Sequence, residues 1–380
     1  MATGPGYGHR PPTVTGDRAR ELHTRAVVAD THNDLLMTVV ERPPHLWARF
    51  FRERWLPQLV EGGVDIQVLP VFVDGPERSE GSLRQTLRMI EAAHRLTEGS
   101  PDAVALCRDG AEIDGAVSTG RTAVVLAVEG CPAIGTDVEL LQTLHRLGVR
   151  IASLAHFGRT ALADGSGEDG TGGRLTRAGI DAVRLMEQIG VMLDVSHLGA
   201  AGVEHVLHLA TRPVIATHSS ARALCEHHRN LTDEQVRGIA AGGGVVCVNF
   251  FAPFVHETEH TLERLVEQIG HLVTVAGSDH VGLGPDFLRE VQDELTPPWC
   301  EDFSVEGVDT RACIPGLEGP RGLPLVTRQL LRAGFSADDV EKVLGANVLR
   351  LFRAELGKPG VGRPGFIRRP DEVAAPDAVR

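Results

Sequence analysis

The chain has 380 residues and a formal net charge of -13, with 51 acidic residues against 38 basic ones. A surface that acidic argues against nucleic acid and anionic membranes as partners. With 42% hydrophobic residues, a sizeable core is available, and the length fits one large barrel better than a small domain.

Residues 1–16 and 357–380 are rich in Gly, Pro and Arg and read as loosely held tails around one domain, 17–356. The N-terminus MATGPGYGHRPP has no apolar core of a secretory signal. No stretch reaches the roughly 18 apolar residues of a membrane span, so a soluble cytoplasmic protein is expected. The cysteines, Cys107, Cys131, Cys225, Cys247, Cys300 and Cys313, form no CxxC pair and read as free thiols. Nearly all basic residues are arginine, the only lysines being Lys342 and Lys358. With abundant Ala and Gly, this composition suggests a GC-rich bacterial genome.

In chain order, eight apolar runs stand out: VVADTH (27–32), VDIQVLPVFV (64–73), TAVVLAVEG (122–130), VRIASLAH (149–156), VMLDVSH (191–197), PVIATHS (213–219), GVVCVNF (244–250) and HVGLGPDF (280–287). They lack clean alternation, as expected of strands buried on both faces. Between them, SLRQTLRMIEAAHRL, DVELLQTLHRLG, TRAGIDAVRLMEQIG and EHTLERLVEQIGHLVTVAG carry apolar residues at helical spacing, and several end in a capping Gly. Eight strands interleaved with helices predict an α/β fold, a (β/α)8 TIM barrel; an open doubly wound sheet is the competitor that strand counting alone leaves standing.

The runs end in ionisable groups. The first closes on His32 and Asp34, the third on Glu129, the fourth on His156, the fifth on His197, the sixth on His218, the seventh near Asn249 and the eighth on Asp286. Singly, each has an ordinary reading: a strand-end histidine making hydrogen bonds, a glutamate capping the next helix, an aspartate in a turn. Asp30 and Asp194 sit inside apolar runs as supporting or structural candidates. Repetition at successive strand ends points elsewhere, because a barrel gathers those ends at one mouth. Histidines and carboxylates together there predict a metal site. With no lysine near a strand end, a bridge between two ions would have to be a carboxylate, and Glu129 is placed for it. Two ions about 3.5–4 Å apart can share a hydroxide, acidifying water and polarising a carbonyl.

The segments DTHNDL, AVEG, SLAHFGRTALADG, LDVSHLG, PVIATHSSARALCEHHRNLTDEQ, HVGLGPDF and LGANVLRLF give the chain its likeness. In this order and combination it resembles the membrane (renal) dipeptidases, the M19-type zinc peptidases of the metal-dependent amidohydrolase superfamily. The resemblance implies two Zn2+ per chain. His32 and Asp34 would hold one, His197 and His218 the other, and Glu129 would bridge them. It implies that His156 contacts the substrate carbonyl, that Asp286 carries a proton from attacking water to leaving amine, and that Arg229 reads the substrate's C-terminal carboxylate. A guanidinium suits that last task through its bidentate fork. The implied substrate is a dipeptide, L-Xaa-Xaa, with a D-residue tolerated at the C-terminal position; the family also tends toward homodimers. The chain departs from the family in DFLREV, where DFDG is frequent, and in EGC for EGG, which puts Cys131 close to the metals. The glycine-rich stretch 165–174 looks like a mobile flap. A deacylase or lactonase on the same metals, or a non-catalytic barrel, are the other readings.

Overall fold

A computed structural model describes residues 16–73, 79–295 and 308–360. Cys300 and most of both expected tails lie outside the described residues. The strands are β1 (Ala29–Asp30), β2 (Ile66–Phe72), β3 (Val104–Leu106), β4 (Thr122–Glu129), β5 (Val149–Ser153), β6 (Met192–Asp194), β7 (Ile215–Ala216), β8 (Val245–Val248) and β9 (Val281–Leu283). All pairings are parallel, in the order β1-β2-β4-β5-β6-β7-β8-β9. The last strand meets the first through Thr31, whose N–H and hydroxyl both donate to the Leu283 carbonyl at 3.2 and 3.0 Å. The result is a nearly closed (β/α)8 barrel. Each of the eight expected apolar runs contains one barrel strand.

β3 was not expected. Its three residues pair with the first half of β4, Val104 to Thr122 through Leu106 to Val124, and β5 pairs with β4 only from Leu126 onward. A run of three residues is too short for periodicity to reveal it.

The expected helices form at Ser79–Glu98, Leu140–Arg146, Arg177–Ile189 and Leu262–Ala276. Thr176 starts the third by accepting from the Gly179 N–H, and Gly190 ends it in the left-handed region at φ 82°. Among the described residues, no helix is long and apolar enough to cross a membrane. The five described cysteines form no disulfide.

Strand periodicity explains both the unbroken apolar runs and the position of the polar ends. Ile66 and Val68 of β2, with Ala123, Val125 and Ala127 of β4, fill the barrel interior, joined by Val348 and Phe352 of the helix Asn347–Glu355. The alternate residues, Leu69, Val71, Val124, Leu126 and Val128, pack outward in the larger core with the helices. Glu129 continues the inward set 123-125-127. It therefore points into the mouth and not onto a helix.

Candidate active site

The strand ends converge as expected. His32, Asp34, Glu129, His156, His197, His218 and Asp286 all line one cleft of about 650 Å³, measured with the solvent at its opening. The glutamate lies at the centre. Its Oε1 is 2.9 Å from His197 Nε2 and 3.4 Å from His218 Nε2. Its Oε2 faces the other way, 3.6 Å from His32 Nε2, and Asp34 Oδ2 is also 3.6 Å from that nitrogen. The two imidazole Nε2 atoms of His197 and His218 stand 2.9 Å apart. Among the described residues, three overlapping groups could hold a metal ion: His32, Glu129 and His218; Glu129, His156 and His197; His32, Asp34 and Asp286.

The donor set fits cations. Glu129 Oε1 and Asp34 Oδ1 are buried with no hydrogen-bond donor, since the close approach of His197 to Glu129 lacks hydrogen-bond geometry. Buried acceptors in that state cost free energy, which a cation would remove. Burial pulls the His32 pKa down, yet the charges of Glu129, Asp34 and Asp286 outweigh it and push it up to about 10. Burial pushes Glu129 up to about 8, against the opposing pull of His32, and raises Asp286. His197 and His218 are held well below the usual imidazole value, by burial first, and then by the charge of Arg229 for His197 and by those of His32 and Arg229 for His218. They are neutral near pH 7, as metal ligands must be.

The tautomer of His218 follows from its neighbours. Thr217 Oγ1 lies 2.5 Å from Asp194 Oδ2 and 2.8 Å from His218 Nδ1. The threonine hydroxyl donates to Asp194. The hydroxyl then accepts from the imidazole Nδ1–H, and His218 Nε2 presents a lone pair to the cluster. Asp194 Oδ1 also accepts from the N–H groups of Ser196 and Thr217 at 2.9 and 3.0 Å. Asp30 has the same local role on β1, accepting from the His32 N–H at 3.0 Å. Burial raises its pKa to about 7 despite that bond.

Two backbone features hold the rim. His197 and Asp286 adopt left-handed φ of 67° and 53°, as does Cys131 at 48°, a conformation that is costly for residues other than glycine. Gly165 is required by close approach, since a Cβ there would overlap the carbonyls of His156 and Phe157. The glycine-rich stretch around it is pinned: Ser166 N donates to the His197 carbonyl at 2.7 Å, and Asp169 accepts from Ala200 N at 2.6 Å. Gly165 and Gly173 are set by close approach, whereas Gly170 and Gly172 have open space around them.

Asp286 sits opposite Glu129, with Oδ2 accepting from Asn249 Nδ2 at 3.0 Å. The Phe251 N–H donates to Asn249 Oδ1 at 2.6 Å, which fixes the amide orientation. His156 is neutral, its pKa lowered to about 3 by burial and by Arg229. Arg229 is brought near the mouth but not into the lining. Its Nη2 donates to the His218 carbonyl at 2.7 Å and its Nη1 to Ser219 Oγ at 3.0 Å. Its Nε is buried without a partner. Burial lowers its pKa to about 10, against the attraction of Asp286 and Glu129. Cys131 is in none of the metal-holding groups, and burial pushes its thiol up to about 12.

Residue-by-residue reading missed the aromatic wall of Phe72, Phe157, Phe251 and Phe254 and the role of Thr217. Signals existed for three of them. Phe72 is next to last in an apolar run, Phe157 follows His156, and Thr217 precedes His218.

Residues 16–297 match the model of the family described as membrane dipeptidase, peptidase family M19. The chain belongs to that family. It is 33% identical over 272 residues to "Dipeptidase verJ" of Clonostachys rogersoniana, covering 71% of this chain and 65% of that relative, just under two thirds of its length. It is 29% identical over 352 residues to "Dipeptidase aclJ" of Aspergillus oryzae, covering 87% and 79%. Among solved structures it superposes with TM-score 0.76 at 25% identity on a metallopeptidase from Rhodobacter sphaeroides, liganded with a phosphinate mimic of the dipeptide L-Ala-D-Ala, covering 86% and 98%. Fungal and bacterial proteins alike are similar to it, so the likeness lends no support to the bacterial origin suggested by composition.

Proposed function

We propose that the protein is a binuclear zinc dipeptidase. The observation that carries this reading is the divided carboxylate of Glu129, with Oε1 toward His197 and His218 and Oε2 toward His32. A carboxylate so placed suits a bridge. His32 and Asp34 would hold one ion, His197 and His218 the other. Two ions bound there supply Lewis acidity, acidifying water and polarising a carbonyl.

The chain's own groups do the rest. Asp286, fixed by Asn249, takes the proton of the attacking water and delivers it to the leaving amine; its raised pKa suits both acts. His156, neutral and uncharged by its surroundings, donates to the oxygen on which charge develops. Arg229 reads the free carboxylate of the substrate, its unpartnered Nε–H being the donor still to be satisfied. By likeness to the metallopeptidase that binds an L-Ala-D-Ala mimic, a D-residue at the C-terminal position is accepted.

A second reading, an amidase or deacylase on the same ions, is favoured by one observation: Arg229 is absent from the described cleft lining. Hydrolysis of L-L and L-D dipeptides, with and without chelator, alongside a count of zinc per chain, tests the first reading. Chelator-sensitive turnover with two ions supports it. Turnover of acylated amides in preference to every free dipeptide overturns it.

A further inference from the structure

Beyond the metal-holding cluster, the described lining of the cleft is four phenylalanines, Leu288, Val308 and Thr310. No charged side chain is among them. The phenylalanines form two walls. Phe72 and Phe157 pack against His156 with ring centroids 4.7 and 4.6 Å away, and Phe157 meets His197 edge-on at 5.0 Å. Across the cleft, Phe251 and Phe254 form an edge-to-face pair at 4.9 Å, tied to Asp286 through Asn249. Leu288 extends this second wall.

The placing of Leu288 is specific. It begins the helix Leu288–Glu294, immediately after Asp286 and Phe287. The charges of that helix are engaged elsewhere. Arg289 pairs with Asp293 at 3.0 Å, Glu290 lies 3.7 Å from Arg54, and Glu294 pairs with Arg42 at 2.9 Å and Arg54 at 2.5 Å. Leu288 is the one residue of this helix in the cleft lining.

Resting on the dipeptidase reading, we propose that the two aromatic walls make this enzyme select dipeptides with apolar side chains at both positions, and that Leu288 is a specificity-determining residue. A charged side chain entering such a cleft loses its hydration and finds no charged partner among the described lining residues beyond the metal-holding cluster. An apolar one gains by leaving water, and pocket contacts of this kind discriminate by about ten- to two-hundredfold.

The experiment is a panel of dipeptides holding Leu or Phe, Glu, or Lys at each position, assayed with the zinc-loaded full chain. The expected result is a kcat/KM at least about tenfold higher for Leu-Leu and Leu-Phe than for any member with Glu or Lys. Leu288→Arg should shift the order toward Glu-containing dipeptides with zinc content unaltered. Should that variant not fold, Leu288→Ala should narrow the gap between Leu-Leu and Leu-Glu. Equal wild-type rates across the panel, or variants that keep the wild-type ratio of Leu-Leu to Leu-Glu, overturn the proposal and leave the dipeptidase reading standing. Failure of every dipeptide with zinc bound overturns both.

Discussion

Replacing Thr217 by valine tests how the site prepares a histidine for metal. Valine matches the shape of threonine but neither donates nor accepts. In the wild type, Asp194, Thr217 and His218 form one chain of hydrogen bonds at 2.5 and 2.8 Å, all within the buried core of the site. Thr217→Val leaves the His218 Nδ1–H buried without an acceptor, at a cost of about 1–3 kcal/mol. The imidazole can escape that cost by moving its proton to Nε2, which destroys the lone pair facing Glu129. Either way zinc affinity falls, by roughly ten- to a hundredfold on the scale of outer hydrogen-bond partners of metal ligands. Competition with a chromogenic chelator measures the affinity. The melting temperature of the metal-free variant separates loss of the ligand from loss of the fold. Thr217→Ser restores the hydroxyl and should restore most of the affinity. Unchanged zinc affinity in a well-folded Thr217→Val, or a serine variant as weak as the valine one, would refute the reasoning.

Asp286→Asn should retain both ions while kcat falls by about 10²–10⁴-fold, measured by steady-state kinetics alongside zinc content. Arg229→Ala should cost about 1.5–3 kcal/mol on free dipeptides, roughly ten- to a hundredfold in kcat/KM, and much less on dipeptide amides; additive losses in that cycle would remove Arg229 from carboxylate recognition. The stability of the metal-free protein should depend on His156. An unfolded imidazole takes its proton near pH 6.5, whereas burial and Arg229 delay protonation in the fold to about 3. The contribution is therefore complete above pH 6.5 and lost as pH falls toward 3, where the unfolded chain binds the extra proton. Thermal melts across that window should show a shallower decline for His156→Gln than for wild type.

Much of the fold was legible because a barrel imposes two readable constraints. Each strand must be apolar on both faces, and each must end at the mouth. The runs closing on Glu129, His197 and His218 satisfied both, and the structure brings these groups within 3.4 Å of one another. What stayed hidden depends on contacts between strands. Asp194 on β6 and Thr217 beyond β7 are 23 positions apart, and only their adjacency in the sheet turns a buried aspartate into the orienter of a histidine. Phe251 and Phe254 carried no signal beyond apolarity, since a phenylalanine lining a cleft and one filling a core look alike in sequence. Gly165, read as part of a flap, has a packing reason that stayed hidden on related grounds. Glycine permits motion, but it also permits the close approach that the carbonyls of His156 and Phe157 demand. Arg229, implied by the family resemblance, lies near the mouth, but its bond to the His218 carbonyl holds it behind the lining.

The site also concentrates costs that the rest of the fold must bear. Cys131, His197 and Asp286 are the described non-glycine residues with positive φ, and each such residue costs on the order of 1–3 kcal/mol. Two of them are themselves site residues, and the third lies two positions after Glu129. A strand leaving the barrel mouth would ordinarily continue outward. The left-handed step turns the chain sharply, so that the imidazole of His197 and the carboxylate of Asp286 face inward. The same small volume holds a carboxylate, Glu129, whose charged form burial disfavours, and acceptors with no donor on Asp34 and Glu129. These penalties share one remedy. A divalent cation between the carboxylates and the neutral Nε2 atoms satisfies the orphaned oxygens and favours the ionised state of Glu129. Binding that relieves the native state and finds no preformed site in the unfolded chain adds directly to stability. The barrel holds the strained cluster together, and a cation bound there would offset part of that strain.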